Sequence, residues 1–252
     1  MKPQTLRKLV LFSLVSFLML TPARIAFAIT TLTSNDWAGY VITFYGVTAI
    51  SASWTVPVIQ CTATGATNAV TQGLAVWIGF DGWGTDMNVP EQIGTMSYCL
   101  NGSPTYWSWE KDPSISPTPN TNNALQAIPN TPAGDQITAS INYLGNNEYQ
   151  LSLKDSTQDE SRVYTVIIKN APRESAEWIL EAFQNNMQQQ VTLPTFNPVT
   201  FSDCSASVNN VVGSITQNNA YPLDMVDSNN NVIAAPQNLN QAGTSFQVAE
   251  AG

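Results

Sequence analysis

Glu174-Ser175-Ala176-Glu177-Trp178-Ile179-Leu180-Glu181-Ala182-Phe183 is the stretch whose reading decides the fold. It is acidic and apolar at once. As a β-strand, with side chains alternating between two faces, it sets Glu177, Ile179, Glu181 and Phe183 on one face and Trp178 and Leu180 on the other. Carboxylates then share a surface with large apolar groups. Desolvation shifts the pKa of such groups, and shifted groups gather at functional sites. As a short helix, the same residues would put Glu177 and Glu181 at i and i+4 on a solvated face, with no chemistry implied.

The surrounding sequence supports the strand. Tyr40 to Val58 reads as two strands with a turn at Tyr45-Gly46, Ala75 to Phe80 as a third closed by Asp81-Gly82, and Tyr106 to Glu110 as a fourth. Ile137, Ala139, Ile141 and Tyr143 alternate with polar residues, Gly145-Asn146-Asn147 turns, and Tyr149, Leu151 and Leu153 alternate back, which is a β-hairpin with one buried face. Val163 to Ile168 adds a strand, and Asp227-Ser228-Asn229-Asn230-Asn231 marks a turn between two more. From Asp112 to Gly134 the chain is rich in Pro, Asn, Ser and Thr, the pattern of a long, partly mobile loop within one domain. Neither a long helix nor an internal repeat is evident. These features predict an all-β fold, a two-sheet antiparallel β-sandwich. Trp77, Trp83, Trp107, Trp109 and Trp178 are candidates for its core or for a cleft, and core is the default for any one of them.

The amino terminus reads as a secretory signal peptide. Lys2, Arg7 and Lys8 precede an apolar run from Leu9 to Leu20, and Ala26-Phe27-Ala28 supplies a small-x-small cleavage site after Ala28. The run is short for a membrane span of about 20 residues, so residues 1–28 are expected to be removed and residues 29–252 to form a single exported domain with no membrane partner. Four of the nine cations leave with that segment and none of the eighteen anions do, so five cations face eighteen anions and the net charge becomes −13. No basic face for phosphates can be assembled, which argues against a nucleic-acid partner. Charged residues are only 11% of the chain, so the surface polarity comes from neutral amides and hydroxyls and changes little as pH falls; an acidic working medium is expected.

The chain contains no histidine. Ser-His-Asp and Cys-His catalysis, paired-His zinc sites and the usual neutral-pH general base are thereby excluded, and acid-base chemistry falls to carboxylates supported by amides or hydroxyls. Three cysteines, Cys61, Cys99 and Cys204, allow one disulfide in an exported chain. Cys61–Cys99 is favoured because the two flank one compact segment, with the other pairings left open. The spacing does not suit a metal site, and neither metal nor cofactor is expected.

Several blocks, in order, resemble the glutamic peptidases, the family named for a catalytic glutamate and glutamine pair. They are Asn35-Asp36-Trp37-Ala38-Gly39-Tyr40, Ser53-Trp54-Thr55-Val56-Pro57, Trp77-Ile78-Gly79-Phe80-Asp81-Gly82, Glu91-Gln92-Ile93-Gly94-Thr95, Trp109-Glu110, Gly134-Asp135-Gln136-Ile137, Ser175 to Phe183, and Phe196-Asn197-Pro198-Val199-Thr200-Phe201. The resemblance implies a lectin-like sandwich with a cleft on its concave face and an endopeptidase acting on proteins or peptides as a monomer. It assigns the catalytic glutamate to Glu181 and its glutamine to Gln92, with Trp77, Asp81, Trp109, Glu110 and Phe183 lining or bracing the cleft. One departure stands out. The family usually has a residue between the tryptophan and the glutamate, whereas here Trp109 abuts Glu110, so either a residue is deleted or Ser108 fills the tryptophan position. A one-residue slip in a strand reverses which side chains face the cleft. Two other readings of a tryptophan-rich exported sandwich are a glycoside hydrolase, which needs two facing carboxylates, and a non-catalytic binding module for sugars or peptides.

Overall fold

The computed structural model describes residues 30–62, 70–83, 91–111, 124–126, 128, 130–185, 187–218 and 220–252. The expected signal segment and most of the loop between Asp112 and Gly134 lie outside them. In chain order the strands are β1 (Leu32–Ser34), β2 (Trp37–Thr43), β3 (Val47–Thr55), β4 (Ile59–Gln60), β5 (Gly73–Phe80), β6 (Glu91–Leu100), β7 (Ser103–Lys111), β8 (Ala124–Gln126) and β9 (Gln136–Gly145). They continue with β10 (Glu148–Asp155), β11 (Glu160–Ile167), β12 (Ser175–Glu181), β13 (Thr195–Phe196), β14 (Val199–Val208), β15 (Val211–Gly213), β16 (Ala220–Val226), β17 (Val232–Pro236) and β18 (Phe246–Glu250). The opening stretch is therefore a strand, buried from Ser175 to Leu180 and opening only at Glu181.

The two expected sheets are the two halves of one curled sheet. Its order is β11-β10-β9-β3-β14-β18-β17-β16-β2-β12-β5-β6-β7-β8. The fold-over runs through β14, which pairs with β18 at Val199–Phe201 and with β3 from Ser202 onward. At the start of the β3 ladder, between Ser202 and Ser205, the register shifts, and Asp203 adopts φ 52°, a bulge where the strand passes from one layer into the other. Turn chemistry sets the flanking connections. Gly46 at φ 84° turns β2 into β3, and Asn146 and Asn147 at φ 53° and 64° turn β9 into β10, because Gly and Asn tolerate the left-handed region.

Between the layers lies an apolar core in which Trp54, Trp178, Tyr149, Phe80 and Phe201 are fully buried. Each such side chain contributes roughly 1.5 to 3 kcal/mol by leaving water. The two core indoles also pin the layers together, Trp178 Nε1 donating to the Ser51 carbonyl at 3.0 Å and Trp54 Nε1 donating to Thr95 Oγ1 at 3.0 Å. Cys61 and Cys99 form a disulfide with Cα atoms 5.7 Å apart, tying the segment after β4 to β6, while Cys204 is a buried free thiol.

One polar cluster bears on the medium in which this fold is stable. The Gln158 side-chain amide donates to Asp135 Oδ2 at 2.6 Å and to Asp155 Oδ2 at 3.2 Å, bringing two buried carboxyls together. Burial raises the Asp135 pKa, and the neighbouring Asp155 raises it further. Asp135 thus binds its proton more tightly folded than unfolded. Its contribution is greatest below the unfolded carboxylate pKa of about 4 and is lost as pH climbs through the higher folded value. The melting temperature is expected to fall as pH is raised from about 4 to about 8, and Asp135→Asn should make that fall shallower. A melting temperature that rises over this interval, or an unchanged slope in the variant, would contradict the assignment.

Candidate active site

Residues paired across an antiparallel ladder share a face, so the register of β2, β12, β5, β6 and β7 defines the surface turned away from the core. Three cross-strand rows matter. The first runs Val41, Glu177, Gly79, Gln92, Lys111; the second Gly39, Ile179, Trp77, Gly94, Trp109; the third Trp37, Glu181, Ala75, Met96, Trp107. Glu181, Gln92, Trp77 and Trp109 therefore lie on one face, although Gln92 is level with Glu177 and two rows from Glu181.

Two indoles bridge those rows. Trp77 donates from Nε1 to Glu181 Oε2 at 2.8 Å. Its opposite edge, at Cζ3, lies 2.8 Å from where a Cβ on Gly79 would sit, and Gln92 Cγ lies 3.0 Å from the same point. The glutamate and the glutamine thus meet opposite edges of one ring. Trp37 stands edge-on to Trp77 with centroids 5.0 Å apart, and its indole N–H also supports the Glu181 carboxylate. Trp37 Cη2 then reaches within 2.8 Å of a Cβ position on Gly82, where Gln92 Nε2 is 3.6 Å away. The Gln92 side chain makes no hydrogen bond among the described residues, which leaves its amide donors available to a ligand.

The carboxyls on this face differ in access. Glu181 keeps part of its surface open, whereas Glu177 is completely buried. Burial is the main cause that pushes the Glu181 pKa up to about 7; Asp36 adds to the rise, and Lys111, with the two indole donors, opposes it. Lys111 is itself held below its usual pKa by burial, against the pull of Glu181. The departure at Trp109-Glu110 resolves as the slip it suggested. Trp109 lies on the outer face of the sheet beside Trp77, and Glu110 pairs with Ile93 and points into the inter-layer core near Tyr164. The expectation that Glu110 lines the cleft is corrected accordingly, because strand alternation turns the residue after Trp109 inward.

Asp81 is a brace. At φ 58° and 2% exposed, it accepts the backbone N–H groups of Arg173 at 2.8 Å and Glu174 at 2.7 Å, clamping the entry of β12 to the end of β5. Phe183 shares the cleft face further along, its ring 2.7 Å from a Cβ position on Gly73. The indole N–H groups of Trp107 and Trp109 are buried without an acceptor among the described residues. Sequence reasoning did not single out Trp37, Lys111 or Asp36 as site residues; only Trp37 and Asp36 carried a signal, by lying within a matching block. Among the described residues no three Cys, Asp or Glu side chains gather as metal ligands.

An all-β curled sandwich whose outer face presents one open carboxyl, an unbonded carboxamide and a floor of indoles has the architecture of a glutamic-type endopeptidase. The sequence profile of the peptidase A4 family matches residues 35–248, and the chain belongs to that family. Comparison with solved structures finds scytalido-glutamic peptidase bound to a peptide-based transition-state analogue, at TM-score 0.68 and 20% identity over 86% of this chain and 99% of that one. SCP-B, an eqolisin in complex with the tripeptide Ala-Ile-His, matches at TM-score 0.66 and 20% identity with the same coverages, and aspergilloglutamic peptidase from Aspergillus niger at 0.57 and 19% over 71% and 99%. No curated protein sequence matches the chain.

The charges around Glu181 make its titration predictable in sign. Lys111→Met removes a cation that favours the carboxylate and should move the Glu181 midpoint up from about 7, whereas Asp36→Asn should move it down. Carboxyl carbon NMR of Glu181 across pH would read both; coincident midpoints in all three proteins would show that neither charge acts on the site.

Proposed function

We propose that Glu181 and Gln92 are the catalytic pair of an exported endopeptidase that works in mildly acidic to neutral solution. The observation that carries this reading is the pairing of the one open carboxyl on the cleft face with an unbonded carboxamide around the same two indoles. In its carboxylate form Glu181 takes a proton from water, and the oxygen attacks the peptide carbonyl. The same carboxyl then returns that proton to the departing amine. Gln92 donates from Nε2 to the oxyanion that develops on the carbonyl oxygen, a contribution of about 3 to 4 kcal/mol to barrier lowering for a well-placed donor. Trp77 holds the carboxylate in place through its indole N–H.

A single carboxyl with a pKa close to the working pH suits a group that must both accept and return a proton, which favours a range around neutrality for this site, with turnover falling as Glu181 is protonated on the acid side. The glycosidase alternative would need a second open carboxylate facing Glu181; Glu177, the other glutamate of β12 on that face, is sealed, and Asp36, half-buried beside Glu181, is held by the Ser34 hydroxyl at 2.6 Å. Export follows from the amino-terminal segment that ends at Ala28.

Denatured casein is the direct substrate test. Glu181→Gln should reduce kcat/KM at least a thousandfold, and Gln92→Ala about a hundred- to a thousandfold, with far-ultraviolet circular dichroism unchanged. Activity in either folded variant within tenfold of the wild type would refute the pair.

A further inference from the structure

Glu177 has no part in the chemistry described above, yet it lies beneath it. It occupies the same cross-strand row as Gln92, and the residue between them is Gly79, which has no side chain to part them. The Glu177 carboxyl carbon and Gln92 Nε2 lie at the same distance, 3.6 Å, from a Cβ position on Gly82. Glu177 is 0% exposed, and among the described residues neither of its oxygens makes a hydrogen bond of good geometry, although the Ser175 hydroxyl and the N–H groups of Gly82 and Trp83 lie close by. A buried carboxyl in that condition is tolerated when neutral and is costly when ionised.

We propose that Glu177 is a positioning residue for Gln92: in its neutral form it underlies the carboxamide that serves the oxyanion, and its ionisation switches that support off. An anion buried beside Gln92 opposes the negative charge that builds on the substrate oxygen, through surroundings that screen it poorly. The charged or titratable groups on the same face of the neighbouring elements are Asp81 at the end of β5, Tyr98 on β6, Lys111 on β7, Tyr221 beside Val41 on β16 and Asp36 ahead of β2, with Glu181 on β12 itself. Asp81 works against ionisation of Glu177, while the Ser175 hydroxyl and the N–H groups of Gly82 and Trp83 work for it; burial outweighs them and lifts the Glu177 pKa to about 8. Burial holds the proton on both glutamates, and more firmly on the sealed Glu177 than on Glu181, which has Lys111 and two indole donors to favour its anion.

The inference rests on the peptidase reading and is tested by the pH profile of kcat for wild type and Glu177→Gln, with rates normalised to the folded fraction from tryptophan fluorescence at each pH. The amide is neutral at every pH. The wild type is expected to lose activity with a midpoint near 8, and the variant to retain at least about a third of the kcat at pH 6 while its alkaline limb vanishes or moves up by a full pH unit or more. A merely structural glutamate would leave that limb where it is. An unchanged limb, or a folded variant inactive at every pH, overturns the proposal. Hydrolysis by the wild type with no change in the limb defeats this inference alone, whereas no hydrolysis by the wild type at any pH defeats the peptidase reading and this inference with it.

Discussion

Trp77 reaches Glu181 because glycine stands where any other residue would block the indole. A Cβ on Gly94 would lie 2.2 Å from the Val76 carbonyl oxygen and 2.5 Å from the Trp77 Cβ, and one on Gly79 would press on both the far edge of the ring and Gln92. These contacts are closer than real carbon atoms approach, so a side chain at either position would lift the tryptophan off the sheet. The indole N–H would then lose its 2.8 Å bond to the carboxylate, and the spacing of the acid and the amide would go with it. The site is therefore a packing outcome first and an electrostatic one second.

The electrostatics follow from that packing. With the indoles covering the sheet, water is kept from most of the Glu181 carboxyl, and its proton is held well above the ordinary glutamate range. Gln92 has no charge to lose or gain, so it can stand near the carboxylate over the whole pH range without either repelling it or drawing its proton. A second ionised carboxylate in its place would have done one or the other. The same preference for neutral partners extends through the molecule. Asp81 and Asp135, like the two glutamates of β12, hold their protons above the usual values, and the amide-rich surface carries few charges. The fold thus favours the acid side of neutrality, whereas the site needs Glu181 ionised and works close to neutrality itself.

Much of this was legible in the residues. The alternation of Ile137 to Leu153 and the turns at Gly46 and Asn146 report local geometry, so they name strands correctly. The strand reading of Ser175 to Glu181 puts both glutamates on one face, and it is the register to β2 and β5 that then decides which one is sealed. That register is a long-range property and cannot be read from ten residues. β6 was not read as a strand, because Gly94, Thr95 and Ser97 break its apolar pattern; in the fold Gly94 makes room for Trp77 and Thr95 accepts from Trp54. Joining the two layers into one sheet depends on a single bulge at Asp203, a backbone event with little compositional signature. The inward turn of Glu110 was visible only as a one-residue irregularity in an otherwise matching block.

A crystal structure with a tetrahedral transition-state-analogue peptide tests the central claim most directly. The account predicts that one oxygen of the tetrahedral centre will lie within hydrogen-bond reach of the Glu181 carboxylate and another within reach of Gln92 Nε2, with Trp77 still bonded to Glu181. An analogue bound away from the Trp37 and Trp77 indoles, or one that engages either residue without the other, would contradict it.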